Sequence, residues 1–153
     1  MSDPLRLLLD RLAIQDLAAS YARGVDRRDF ELLESLFTHD ARLAVHYGDP
    51  AKVEPRNEMR GVDRIIKGMR TIVRYRATTH FVGNQTVAID ADEARAETYC
   101  LAHHLHEENG RWLDYVMSIR YADRCVREAG RWKFAERVLA VDWTEDRPVD
   151  PLV

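Results

Sequence analysis

Residues 78–143 read TTHFVGNQTVAIDADEARAETYCLAHHLHEENGRWLDYVMSIRYADRCVREAGRWKFAERVLAVDW, and this stretch decides the fold. Four β-rich segments, 78–89, 94–107, 111–126 and 131–143, are separated by Asp90-Ala91-Asp92, Glu108-Asn109-Gly110 and Glu128-Ala129-Gly130. Short polar or Gly-ended links of this kind are hairpin connections. The spacing therefore predicts a meander of long antiparallel strands. Strands this long twist and curl.

Upstream the pattern is helical. Asp3 and Pro4 suit an N-cap and a first helical position, and Leu5, Leu8, Leu9, Leu12, Leu17 and Tyr21 recur at spacings that predict a helix over 4–23, ended by Gly24. Asp26 then falls in a junction before a second apolar-periodic stretch, Phe30, Leu32, Leu33, Leu36 and Phe37. A strand is predicted over 41–47, an exposed loop over 48–60, and a third helix from Ile65 to about Tyr75. The tail 147–151 reads as an extended end. Helices first and a strand meander afterwards predict one α+β domain over 1–153, a cone-shaped barrel of curved, mostly antiparallel sheet with about three helices on its concave face. A cavity at the open end is the expected site of chemistry.

Composition narrows the functional classes. The chain is 46% hydrophobic and 32% charged with net charge −3, ordinary for a globular protein and without bulk attraction to phosphate backbones, so nucleic acid is not an expected partner. Cys100 and Cys125 form no CxxC, and the expectation is reduced, buried thiols and no metal. The start lacks a signal-peptide pattern and no apolar run reaches the roughly 20 residues of a membrane span, which gives a cytoplasmic expectation with no membrane partner.

Leu12-Ala13-Ile14-Gln15-Asp16-Leu17, Tyr21 and Gly24-Val25-Asp26-Arg27-Arg28-Asp29 resemble the start of SnoaL-like proteins, the nuclear-transport-factor-like group that includes bile acid 7α-dehydratase, hexachlorocyclohexane dehydrochlorinase and, more distantly, scytalone dehydratase. Thr79-His80-Phe81-Val82-Gly83-Asn84 and 130–137 are similar to that group's first long strand and last hairpin. The resemblance implies a pocket whose working pair is Asp26 and His80, with Tyr21 in the dehydratase-like place and Arg137 assisting the substrate or departing group. It also implies a homo-oligomer, dimer or trimer, formed through the outer sheet face.

In chemical terms, a carboxylate that accepts a hydrogen bond from one imidazole nitrogen fixes the tautomer and leaves the other nitrogen bare as a base. Tyr21 supplies a phenolic proton and Arg137 a charge for an anionic group. Each residue also has a purely structural reading: Asp26 as a helix cap, His80 as a hydrogen-bonded core histidine, Tyr21 as core, Arg137 as one half of an ion pair. Of His103, His104 and His106, only His104 and His106 share a strand face, too few for a metal. If Ala96, Thr98, Cys100 and Ala102 line the cavity, His104 reaches inward with them, and Tyr47 and Tyr115 join it as substrate-binding residues. The expected function is a cofactor-independent lyase of the dehydratase type acting on a hydrophobic small molecule, steroid-like, terpenoid or aromatic. An isomerase using the same base, a small-ligand binder and a dioxygenase small-subunit-like accessory protein are the alternatives.

Overall fold

The computed structural model describes residues 3–152. Helix α1 spans Pro4–Arg27, α2 Phe30–Ser35, and strand β1 Phe37–Tyr47. Strand β2 (Asn57–Arg60), helix α3 (Val62–Met69) and a short 3-10 helix (Arg70–Arg74) follow, and then the four long strands β3 (Ala77–Asp90), β4 (Glu93–Glu108), β5 (Arg111–Glu128) and β6 (Arg131–Pro148). The six strands form one sheet in the order β2-β1-β6-β5-β4-β3, antiparallel throughout except that β1 runs parallel to β6. The fold is α+β as expected, with helices on a curved sheet that stays open, because β2 and β3 do not pair with each other.

The hairpins follow their turn chemistry. Asn109-Gly110 and Ala129-Gly130 all have positive φ, the geometry whose twist matches the flanking strands. Along β4, Ala94, Ala96, Thr98, Cys100, Ala102 and His104 are buried and so mark the inner face. Across the sheet they lie opposite Cys125, Asp123, Tyr121, Ile119, Met117 and Tyr115 of β5. Irregularities at Val82/Gln85 in β3 and Ser118/Ile119 in β5 bend the sheet.

Several boundaries differ from the sequence expectation; β1 begins at Phe37, which the apolar spacing places with the second helix, and α3 begins at Val62 and gives way to the 3-10 helix after Met69. Helix α1 runs through Gly24 to Arg27, so Asp26 lies in its last turn and not in a junction. Gly24 serves close approach: a Cβ there would come within 2.8 Å of Leu33. The helix is ended instead by Arg28, which adopts the left-handed conformation (φ 56°), while Asp29 caps α2 by accepting from the Leu32 amide. Part of the expected loop 48–60 is strand β2, paired with β1. Residues Arg147 and Pro148 belong to β6.

Candidate active site

The last turn of α1 and the first residues of β3 are brought together by helix-on-sheet packing, and Asp26 meets His80 there. The His80 ring Nδ1 lies 2.7 Å from Asp26 Oδ1, and the His80 backbone amide donates to Asp26 Oδ2 at 2.9 Å. Thr78, two residues earlier on the same strand face, donates its hydroxyl to Asp26 Oδ1 at 2.9 Å. In the neutral ring, a carboxylate on the Nδ1 side places the proton on Nδ1, the tautomer in which Nε2 keeps its lone pair. Burial by itself raises the Asp26 carboxyl, but the hydrogen bonds from the His80 ring and amide and from the Thr78 hydroxyl bring it below the ordinary carboxylate value. Asp26 is thus held ionised beside the imidazole.

Arg28 and Thr78 were not singled out from sequence. Arg28 donates to the Asp26 carbonyl (2.6 Å), the Thr78 hydroxyl (2.9 Å) and the Tyr75 carbonyl (3.2 Å), so one guanidinium ties the end of α1 to the start of β3. The signal available was the spacing of Thr78 and His80, which in a strand puts both on one face.

His104 also reaches inward. Its ring centroid is 5.5 Å from that of His80 in an edge-to-face arrangement, 4.8 Å from Tyr75 and 5.9 Å from Tyr115. Its Nδ1 lies 3.0 Å from the Tyr115 carbonyl oxygen, an acceptor, so Nδ1 carries the hydrogen and Nε2 is unprotonated. Burial pushes the His104 imidazole down to about 4, which keeps it neutral. The hydroxyls of Tyr47 and Tyr115 pair at 3.2 Å. Burial, followed by the neighbouring Tyr47 hydroxyl, pushes the Tyr115 phenol up to about 12, so it remains a proton-bearing group. Half-buried Val45, Ile72, Val82, Met117 and Leu139 pack against the hydrophobic core. A cleft of about 640 Å³ between α1 and β3 is bounded by Leu12, Ala18, Val82, Val87 and Thr98; Asp26 and His80 are not among its lining residues.

Tyr21 and Arg137 sit elsewhere. Arg137 has no exposed surface and donates through Nε and Nη2 to the two oxygens of Asp123, each at 2.8 Å. Its guanidinium lies 4.0–4.2 Å from the ring centroids of Tyr21, Tyr121 and Phe134. Burial opposes its charge, but Asp123 and the surrounding phenol oxygens keep it protonated. Tyr21 packs edge-on against Phe37, Tyr121 and Phe134, and burial raises its phenol. In this closed geometry a substrate group does not reach Arg137, and the ion-pair alternative describes its surroundings. Among the described residues no group of three or more His, Cys, Asp or Glu is arranged to hold a metal. His106 Nδ1 lies 3.4 Å from the His104 carbonyl. Cys100 and Cys125 are free and buried, and burial pushes their thiols up to about 11 and about 12. No helix among the described residues is long and apolar enough to cross a membrane.

A family model described as a SnoaL-like domain matches residues 6–138. An uncharacterized protein, Rv2910c of Mycobacterium tuberculosis H37Rv, is 25% identical over 134 residues, covering 84% of this chain and 83% of its own. A proposed scytalone dehydratase from Novosphingobium aromaticivorans superposes with a TM-score of 0.79 at 26% identity, covering 94% of this chain and 91% of the other. A type 3 hexachlorocyclohexane dehydrochlorinase from Novosphingobium barchaimii has a TM-score of 0.77 at 22% identity, covering 98% of this chain and 97% of the other, a likeness of fold.

Proposed function

The chain belongs to the SnoaL-like domain family, and we propose that it is a cofactor-independent lyase that eliminates water from a hydrophobic small molecule of steroid-like, terpenoid or aromatic type. The observation that carries this reading is the Asp26–His80 pair, in which the Asp26 carboxylate lies 2.7 Å from Nδ1, the arrangement that leaves Nε2 bare in a neutral ring. His80 takes a proton from a carbon beside an activating group, the C–H electron pair becomes the new double bond, and the neighbouring hydroxyl departs. The proton gained by His80 leaves with that oxygen as water. Asp26 stabilises the imidazolium between the two transfers without itself becoming protonated.

His104 and the Tyr47–Tyr115 pair act as binding groups in this scheme. A neutral His104 offers a lone pair at Nε2, which accepts from a substrate hydroxyl, while Tyr115 donates to the departing or carbonyl oxygen. The likeness to a proposed dehydratase and to a dehydrochlorinase supports elimination over other uses of the same base. Isomerisation shares the abstraction step and differs only in where the proton returns. Tyr21 and Arg137 are assigned to the support of the pocket.

The deciding experiment assays the wild type, His80→Ala, Asp26→Asn and the double variant against a panel of cyclic β-hydroxy ketones. Removal of a positioned base lowers turnover by about 10²–10⁴-fold. The double variant should be little worse than the poorer single one, because the two act as a unit. Near-normal turnover in both single variants would reduce the pair to a polar anchor, as would tight binding of apolar ligands with no conversion by the wild type.

We further propose that copies associate through the outer sheet face, where Phe81, Tyr99, Leu101 and Trp143 are all exposed. Light scattering at micromolar concentration should give a dimer or trimer; monomer alone would refute it.

A further inference from the structure

Arg28 stands at the left-handed position that ends α1, with φ 56°. Glycine is the usual residue at such a place, because a Cβ in that conformation is strained. An arginine there answers to its side chain. Nη1 donates to the Asp26 main-chain carbonyl at 2.6 Å and to the Thr78 hydroxyl at 2.9 Å, and Nη2 donates to the Tyr75 carbonyl at 3.2 Å. All three acceptors are neutral, so these bonds do not compete with His80 for the Asp26 carboxylate.

The Thr78 hydroxyl stands between the two, and its single proton has one place to go. A guanidinium has N–H donors and no lone pair to receive a proton, so Thr78 accepts from Arg28 and donates to Asp26 Oδ1 at 2.9 Å. The bonds therefore run one way, from Arg28 through Thr78 to the carboxylate. Thr78 is buried, which makes a bond left unmade there costly. With Nδ1 of His80 at 2.7 Å from Oδ1 and the His80 amide at 2.9 Å from Oδ2, three donors hold the carboxylate in one orientation. Two of them come from His80 itself, and Thr78 is the one that does not.

We infer that Arg28 and Thr78 are positioning residues for the Asp26–His80 pair: the guanidinium fixes the Thr78 hydroxyl as a donor to Oδ1, and that hydroxyl holds the carboxylate where it meets Nδ1. Both act through Asp26, and neither is assigned a contact with substrate. Their effect on turnover rests on the lyase reading; their effect on the Asp26–His80 hydrogen bond does not. Arg28 has a second reach. By holding the Tyr75 carbonyl it also sets the residue whose ring centroid lies 4.8 Å from that of His104, the proposed binding group.

The test reads turnover together with the Nδ1 proton of His80, whose exchange with solvent is measured by proton NMR in the absence of substrate. Thr78→Val keeps the shape of the side chain without its hydroxyl; that proton should exchange about tenfold faster and kcat should fall about tenfold with little change in KM, the worth of one hydrogen bond to a charged group. Thr78→Ser should restore both. Arg28→Met should match Thr78→Val in exchange and in kcat, and it alone should raise KM, through Tyr75. The double variant should be no worse in kcat than the poorer single one, because the two residues act in series. Should Arg28→Met fail to fold, the valine and serine variants of Thr78 decide. A wild type without turnover whose Nδ1 proton still responds to Thr78→Val would sink the lyase reading and keep the positioning role. An unchanged exchange rate in Thr78→Val, no restoration by serine, or a loss of stability with the Nδ1 proton unmoved would overturn the proposal.

Discussion

Two carboxylates on the inner side of the fold each hold a nitrogen-bearing side chain, and their surroundings divide them. Asp123 and Arg137 have side chains 1% and 0% exposed, joined by two bonds of 2.8 Å and walled by three aromatic rings. Asp26 and His80 have side chains 22% and 7% exposed, with one ring bond, one amide bond and a threonine hydroxyl. A guanidinium cannot give up its proton in a protein, whereas an imidazole can take one up and release it. The first pair is therefore fixed charge sealed in the core, and the second, less deeply buried, is the one proposed to carry a proton. Position alone would not separate them. The type of base and its access to solvent do.

The sharpest way to break that contrast is to cut each pair. Turnover should fall by about 10²–10⁴-fold in His80→Ala with little change in unfolding free energy. Asp123→Ala should instead lose about 3–5 kcal/mol of stability, the usual result of leaving a buried charge without its partner. Urea unfolding of both variants measures this. Equal stability losses would mean that the Asp26–His80 pair is as structural as the core pair.

A smaller effect concerns His104, which lies next to the proton carrier but is kept neutral. Its imidazole is lowered to about 4 in the fold against an ordinary value near 6.5, so the unfolded chain takes up more protons between those values. Its contribution is fully present above about pH 6.5 and is lost as pH falls toward 4, by up to about 3 kcal/mol. Unfolding free energy measured across that window should decline for the wild type and decline less for His104→Gln. Identical slopes would show that His104 is not the buried neutral group.

Much of this was legible in the sequence because it depends on local pattern. Turn residues such as Asn109-Gly110 fixed the hairpins, and alternation in β4 put His104 on the face of Ala96, Thr98, Cys100 and Ala102. Strand β2 was missed because four residues, Asn57–Arg60, carry no alternation of their own and are strand only through pairing with β1. The α1 boundary is not legible in the sequence because Gly24 looks like a stop, while its lack of a side chain answers to Leu33, which is distant in the pattern and near in space. The partner of Arg137 was equally hidden: Asp123 becomes its neighbour only through the β5–β6 register. The role of Arg28 depends on its left-handed backbone, which no spacing rule gives for an arginine.

The most direct test of the central claim needs no substrate. Nitrogen-15 NMR of the His80 ring in the free protein at neutral pH reports which nitrogen bears the hydrogen. The account requires Nδ1–H, hydrogen-bonded to Asp26, with Nε2 showing the shift of an unprotonated nitrogen, and loss of that preference in Asp26→Asn. A neutral ring protonated at Nε2 in the wild type would contradict it, since the bare nitrogen would then face the carboxylate and no base would face the pocket.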